Sequence, residues 1–131
     1  MRLERVSGGL LRVGVEVQGV VVGQYDVWIA NQDAKFYYWA ARPNQLDPAL
    51  TTVFPTPNHP SYPSNRATHG SATEVLAHSF PRDAAVFRQL GEEIGESAVW
   101  AGIHFRSDVV AGSAMGREVA RLLLARDAGD A

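Results

Sequence analysis

A chain of 131 residues and 14.2 kDa, 46% hydrophobic and 20% charged, is sized for one small globular domain, so a single domain over residues 1–131 is expected. Twelve basic against fourteen acidic residues give a formal charge of -2, without the basic excess of a nucleic-acid binder or a polybasic membrane anchor. The absence of cysteine excludes disulfides, thiolate metal sites and a cysteine nucleophile, so any metal must enter through His, Asp, Glu or oxyanion chemistry.

Along the chain, Arg12, Glu16, Gln18 and Asp26 interrupt the apolar first thirty residues. No run approaches the roughly 18–20 apolar residues of a bilayer span, and a soluble chain without membrane span or signal peptide is expected. Residues 10–30 are the hardest to assign, because Val13, Val15 and Val17 alternate like a strand and local propensity leans toward β. Trp28 to Ala41 lacks Gly and Pro and carries apolar residues near helical spacing, predicting a helix that stops at Arg42-Pro43. Residues 43–65 hold six of the seven prolines and no periodicity; a loop this long within a compact domain is usually functional. Arg66 to Phe80 reads as a closely packed helix ended by Pro81, and Asp83 as the N-cap of a helix to about Trp100. After a break at Ala101-Gly102, Ser107 or Asp108 is expected to cap a last helix, with Val109, Gly112, Met115, Val119 and Leu122 as its apolar stripe. The expectation is a mostly helical chain with at least four helices and one proline-rich loop.

Three segments carry candidate chemistry. Lys35, the only lysine, precedes Arg42 by seven residues, two helical turns, which would project both cations from one face. Alone, such a pair is more simply two solvated surface charges. HPSYPSNRATH, residues 59–69, delivers Ser64 and Asn65 to a helix start, where free N–H groups favour anions, though an ordinary serine cap has the same appearance. GIHFRSD, residues 102–108, sets His104 four residues before Asp108; a lone histidine there reads first as a hydrogen-bonded structural imidazole.

Taken in this order, the segments DAKFYYWAARP (33–43), TPNHPSYPSNRATHGSA (56–72) and ESAVWAGIHFRSDVVAG (96–112) are far more specific. They resemble the type 2 phosphatidic acid phosphatase superfamily, and within it the branch of vanadium-dependent haloperoxidases and bacterial acid phosphatases. The resemblance spans about residues 28–124 and rests on a lysine before an Arg-Pro, a Pro-Ser turn, and a serine followed by Gly-x-His and Asp. It implies an all-α helical bundle, shortened at its N-terminus, and turns residues 10–30 toward helix. It also implies a pocket for phosphate or vanadate. Lys35 and Arg42 would neutralise its equatorial oxygens, and Ser64 and the Asn65 N–H would donate to them. His104 would be the apical group, attacking phosphorus or ligating vanadium, with Asp108 fixing its tautomer. The substrates implied are a small phosphate ester or a halide with peroxide.

Two positions depart from that pattern. Arg66 stands where the family turn carries its acid/base histidine, and a guanidinium with a pKa above ~12 does not exchange protons near neutrality. Ala98 stands where a further oxyanion-binding arginine is expected. Arg66 would fill the vacated charge, giving an oxyanion site of reduced activity. The other reading is a non-catalytic binder or a structural remnant that acts through oligomerisation. His69, three residues after Arg66, is a secondary candidate for the proton donor, and His59 is expected to pack within its loop. The chain offers only about thirty residues before the lysine segment, fewer than the haloperoxidase branch has. A fragment, a remnant and an obligate homo-oligomer share that appearance.

Overall fold

The computed structural model describes the backbone of residues 2–129 and the side chains of residues 18–126, 128 and 129. Helix α1 spans Arg2–Tyr38, a four-residue α2 spans Pro43–Leu46, α3 spans Gly70–Ser79, α4 spans Ala84–Trp100 and α5 spans Arg106–Asp127. Short 3₁₀ turns at Ala67–His69 and Pro81–Asp83 lead into α3 and α4. Among the described residues there is no strand, as the all-α resemblance implies. The β leaning of residues 10–30 is overridden: one 37-residue helix runs through them and on past Trp28, where no boundary occurs. Val27, Asn31 and Lys35, one turn apart, are fully buried, so tertiary packing of this stripe outweighs the weak helix preference of the valines.

Helix α1 ends where Trp39 takes a φ of 49°, the left-handed geometry that commonly closes a helix. The chain therefore turns before Arg42, which sits in extended backbone ahead of α2. The one-face placement of Lys35 and Arg42 on a single helix is thus corrected: they come from different segments. The long loop is also less irregular than its prolines suggest, since Pro43 starts α2, at a position where its missing N–H costs nothing.

Small residues let the helices approach closely. Ala67, Ala98, Ala101, Ile103 and Val109 form one buried cluster, and Val75, Ala120 and Leu123 form another against Val20 and Val22. A Cβ on Gly112 would collide with the Ser64 carbonyl, and one on Gly116 would lie 2.8 Å from the Thr68 carbonyl oxygen. These glycines allow α5 to lie directly against the turn that follows the proline-rich loop. Gly102, with φ 74°, reverses the chain between α4 and α5. The outer side of α1 is apolar and uncovered, with Val21, Tyr25, Trp28, Ile29 and Phe36 all at least half exposed. Among the described residues no helix is long and apolar enough to cross a membrane.

Candidate active site

Four segments converge on His104: the end of α1, the start of α2, the proline-rich loop and the α4–α5 connection. Each is held by backbone bonds. The Ser61 N–H donates to the Ala40 carbonyl, the Ser64 N–H to the Asp108 carbonyl, and the Val53 N–H to the Ala101 carbonyl, at 2.9, 2.9 and 3.1 Å.

His104 is 4% exposed. Its Nδ1 lies 3.0 Å from Asp108 Oδ2, and its Nε2 lies 3.0 Å from Arg42 Nη1. A guanidinium has no acceptor, so Nε2 must offer its lone pair to Arg42, and Nδ1 must carry the proton that Asp108 accepts. That fixes one neutral tautomer with the Nε2 lone pair beside a cation. Burial first, then the charges of Arg42 and Lys35, hold the imidazole pKa below its ordinary value, against the opposing hydrogen bond to Asp108.

Asp108 is 2% exposed, and its Oδ2 also accepts the Ser61 hydroxyl at 2.6 Å and the Phe105 N–H at 3.0 Å. Those donors, with His104, hold its pKa below the usual carboxylate value despite burial. Helix α5 begins at Arg106 with Phe105 as its N-cap, so Ser107 and Asp108 lie inside the first turn, not at the cap. Asp108 caps from within, because an N3 carboxylate reaches back to the N-cap N–H.

Lys35 is fully buried, and its Nζ donates to the carbonyls of Pro60, Ser61 and Pro63 at 2.8, 2.9 and 2.5 Å. All three ammonium protons are thereby used. Burial and Arg42 push its pKa down to about 7, with Asp108 opposing. The lysine ties the loop beneath His104 and brings its charge there, but no free proton. Arg42 is committed to backbone as well, with Nε donating to the His59 carbonyl at 3.0 Å and Nη1 to the Ile103 carbonyl at 2.8 Å. Its Nη2 meets His59 Nδ1 at 3.1 Å, so His59 is a partner of Arg42 rather than only a loop-packing residue.

Ser64 is fully buried, and its hydroxyl accepts the Ala67 N–H at 3.3 Å. Asn65 receives Gln32 Nε2 on its amide oxygen at 3.4 Å. Arg66 is exposed, with its guanidinium 5.8 Å from the centroid of the Phe54 ring. Ser61 carries no motif signal in the sequence, although it links Asp108, His104 and, through its carbonyl, Lys35. Ser61 and Ser64 sit in equivalent-looking Pro-Ser steps, so only the fold distinguishes them.

Two clefts border this cluster. One, of about 440 Å³, is lined by Phe54, Pro57, Arg66, His69, Ile94, Ile103 and His104. The other, of about 650 Å³, includes Phe36, Trp39, Arg42, Asn44 and His59 in its wall and shares Pro57 with the first. Among the described residues no three His, Asp or Glu side chains are grouped to hold a metal cation. The cluster sets the buried side chains of Lys35, Arg42 and Asp108 about the His104 imidazole.

Residues 76–128 match the family model of the VCPO second helical-bundle domain. A comparison with the sequences of curated proteins finds no match. Among solved structures, the chain is similar to the first bacterial vanadium-dependent iodoperoxidase, at 24% identity and a TM-score of 0.76 over 86% of this chain and 33% of that one. It is also similar to a transmembrane PAP2-type phosphatidylglycerolphosphate phosphatase from Bacillus subtilis, at 20% identity and a TM-score of 0.63 over 84% of this chain and 58% of that one. The chain thus spans about a third of the first neighbour and less than two thirds of the second. Its fold is the helical bundle common to these two proteins, and the matches agree with the superfamily that the three sequence segments resemble.

Proposed function

We propose that this chain binds a phosphate-sized oxyanion at His104 and acts on small phosphomonoesters at reduced rate. The observation that carries this reading is the placement of His104, with Nε2 3.0 Å from Arg42 Nη1 and Nδ1 3.0 Å from Asp108 Oδ2, which favours the Nδ1-protonated tautomer. A neutral imidazole so oriented becomes a nucleophile when an arriving anion takes the Arg42 N–H from Nε2, and Arg42 draws that anion toward the attacking atom. Arg66, and Arg42 through its remaining Nη2 proton and the Nη1 proton released from His104, would take the anion's oxygens. Ser64 and the Asn65 N–H would complete the cradle at the turn, and Lys35 would add charge from below. Ala98, buried in the apolar cluster, supplies no guanidinium, which accounts for the reduced rate.

Vanadate has phosphate's shape and charge, and the residues present fit it through the His104 lone pair and the two arginines. When bound, vanadate supplies activation of peroxide toward a halide. The protein's part would be to fix His104 through Asp108 and to neutralise the anion through Arg42 and Arg66.

The test is hydrolysis of p-nitrophenyl phosphate and vanadate-dependent iodide oxidation by the unmodified chain, with His104→Ala as the zero. Turnover of either kind that His104→Ala abolishes supports the reading; equal rates in both proteins would contradict it. A second reading is a non-catalytic oxyanion binder or structural remnant in a homo-oligomer. It is favoured by the apolar outer face of α1, whose covering by a second copy would bury Trp28, Ile29 and Phe36. Oxyanion binding without turnover, in a chain larger than a monomer, would select it.

A further inference from the structure

The smaller cleft contains a second imidazole. In a 3₁₀ turn residues three apart eclipse one another, so Arg66, at the N-cap, and His69, at the end of the Ala67–His69 turn, project to the same side. Ala67 and Thr68 between them are buried on the other side. Both projecting side chains line the cleft that His104 also lines. The Phe54 ring backs the Arg66 guanidinium, and Phe54, Ile94 and Ile103 make the rest of that wall apolar. One cleft therefore offers two imidazoles, a cation and an apolar surface.

We propose that His69 is the proton donor and acceptor for the alcohol oxygen of a phosphomonoester held at His104, and that this alcohol is apolar. The proposal rests on the phosphomonoesterase reading above. As His104 Nε2 bonds to phosphorus, the bond from phosphorus to the alcohol oxygen breaks and its electron pair stays on that oxygen. Protonated His69 delivers its proton there, releasing a neutral alcohol. In the return half, the oxygen of a water bonds to phosphorus while neutral His69 takes the water's proton. The nitrogen–phosphorus bond then breaks, its pair returns to Nε2, and inorganic phosphate leaves.

The electrostatics suit such a cycle. The other titratable groups lining the cleft are Arg66 and His104. Although His69 keeps an exposed edge, partial desolvation by the cleft wall, and then Arg66, hold its pKa below its ordinary value in the free chain. An arriving dianion offsets Arg66 and favours the protonated donor, and delivery of its proton to the alcohol oxygen leaves the neutral base that the water step needs.

The experiment compares two esters. p-Nitrophenolate leaves without a proton, whereas the alkoxide of benzyl phosphate needs one. In single-turnover measurements, which read the leaving-group step alone, His69→Gln is expected to slow benzyl alcohol release by about 10²-fold, the scale of one positioned acid, and to slow p-nitrophenolate release far less, while steady-state turnover of both esters falls because the shared water step loses its base. Added imidazole is expected to restore benzyl phosphate turnover in His69→Ala. Glycerol phosphate is expected to show a higher KM than benzyl phosphate. An equal single-turnover fall for both esters, or no fall for either, would overturn the role of His69 and leave the phosphomonoesterase reading standing; equal KM values would overturn the apolar alcohol. If the unmodified chain hydrolyses neither ester, or His104→Ala hydrolyses both as fast, the phosphomonoesterase reading fails and this inference with it.

Discussion

Burying a carboxylate is costly unless donors match its lone pairs, and Asp108 meets that condition with Ser61, His104 and the Phe105 N–H. Asp108→Asn presents an amide where three donors converge. It should cost about 1.5–3 kcal/mol of stability, the range for hydrogen bonds to charged groups, measured by chemical denaturation. It should also lower turnover by about 10–100-fold, because the tautomer of His104 is no longer enforced. Arg42→Met is expected to raise the His104 pKa in an NMR titration, since it removes a cation from the Nε2 side while leaving Asp108 in place. An unchanged or lower value would mean that Arg42 does not face that nitrogen. At this scale the sequence identified Lys35, Arg42, His104 and Asp108 as notable residues but not all of their roles. The partners of Lys35 are three backbone carbonyls, and backbone acceptors leave no trace in side-chain identity. Lys35→Ala should therefore act on the loop, costing about 2–5 kcal/mol as a long buried side chain is removed and the carbonyls lose their donor.

Between elements, the controlling contact is that of α5 with the 3₁₀ turn bearing Arg66 and His69. Because added Cβ atoms meet backbone at Gly112 and Gly116, these atoms cannot swing aside as a side chain would. Gly112→Ala is expected to destabilise by about 1–3 kcal/mol, the range for overpacking, and unchanged stability would show that α5 has room to shift. Ala98 behaves similarly: it is fully buried among Ala67, Ala101, Ile103 and Val109, so Ala98→Arg should destabilise rather than simply restore an oxyanion donor. Helices α4 and α5 were legible because their apolar periods and flanking breaks agree. Residues 10–30 are legible as helix only through the family resemblance, because valine propensity opposes a packing preference that the neighbouring helices supply. The end of α1 was misplaced for a related reason. Trp39 is an uncommon residue for positive φ, so nothing marked the turn that separates Lys35 from Arg42.

Over the whole molecule, buried His104 leads the pH dependence, with half-buried His59 and exposed His69 adding less because solvent screens them. His59, His69 and His104 all have folded pKa values lowered from 6.5, each with burial as the largest cause. Below that value the unfolded chain binds more protons than the folded one, so these groups cost stability as the pH falls through 6.5 toward their folded values. Asp108 acts in the same direction at lower pH: its depressed pKa contributes stability above the ordinary carboxylate value that is lost on acidification through the folded one. Denaturation midpoints should thus rise from acid toward neutral pH, and a stability maximum near pH 5 would contradict the buried, neutral state of His104. Orthovanadate shares the shape and charge of phosphate, and calorimetric titration of the unmodified chain and of His104→Ala tests the central claim, that His104 holds an oxyanion. The account predicts saturable binding to the unmodified chain, weakened at least about tenfold in His104→Ala, the lower end of losing a hydrogen-bonded charge partner. Equal affinity in the two proteins, or no binding to the unmodified chain, would contradict it.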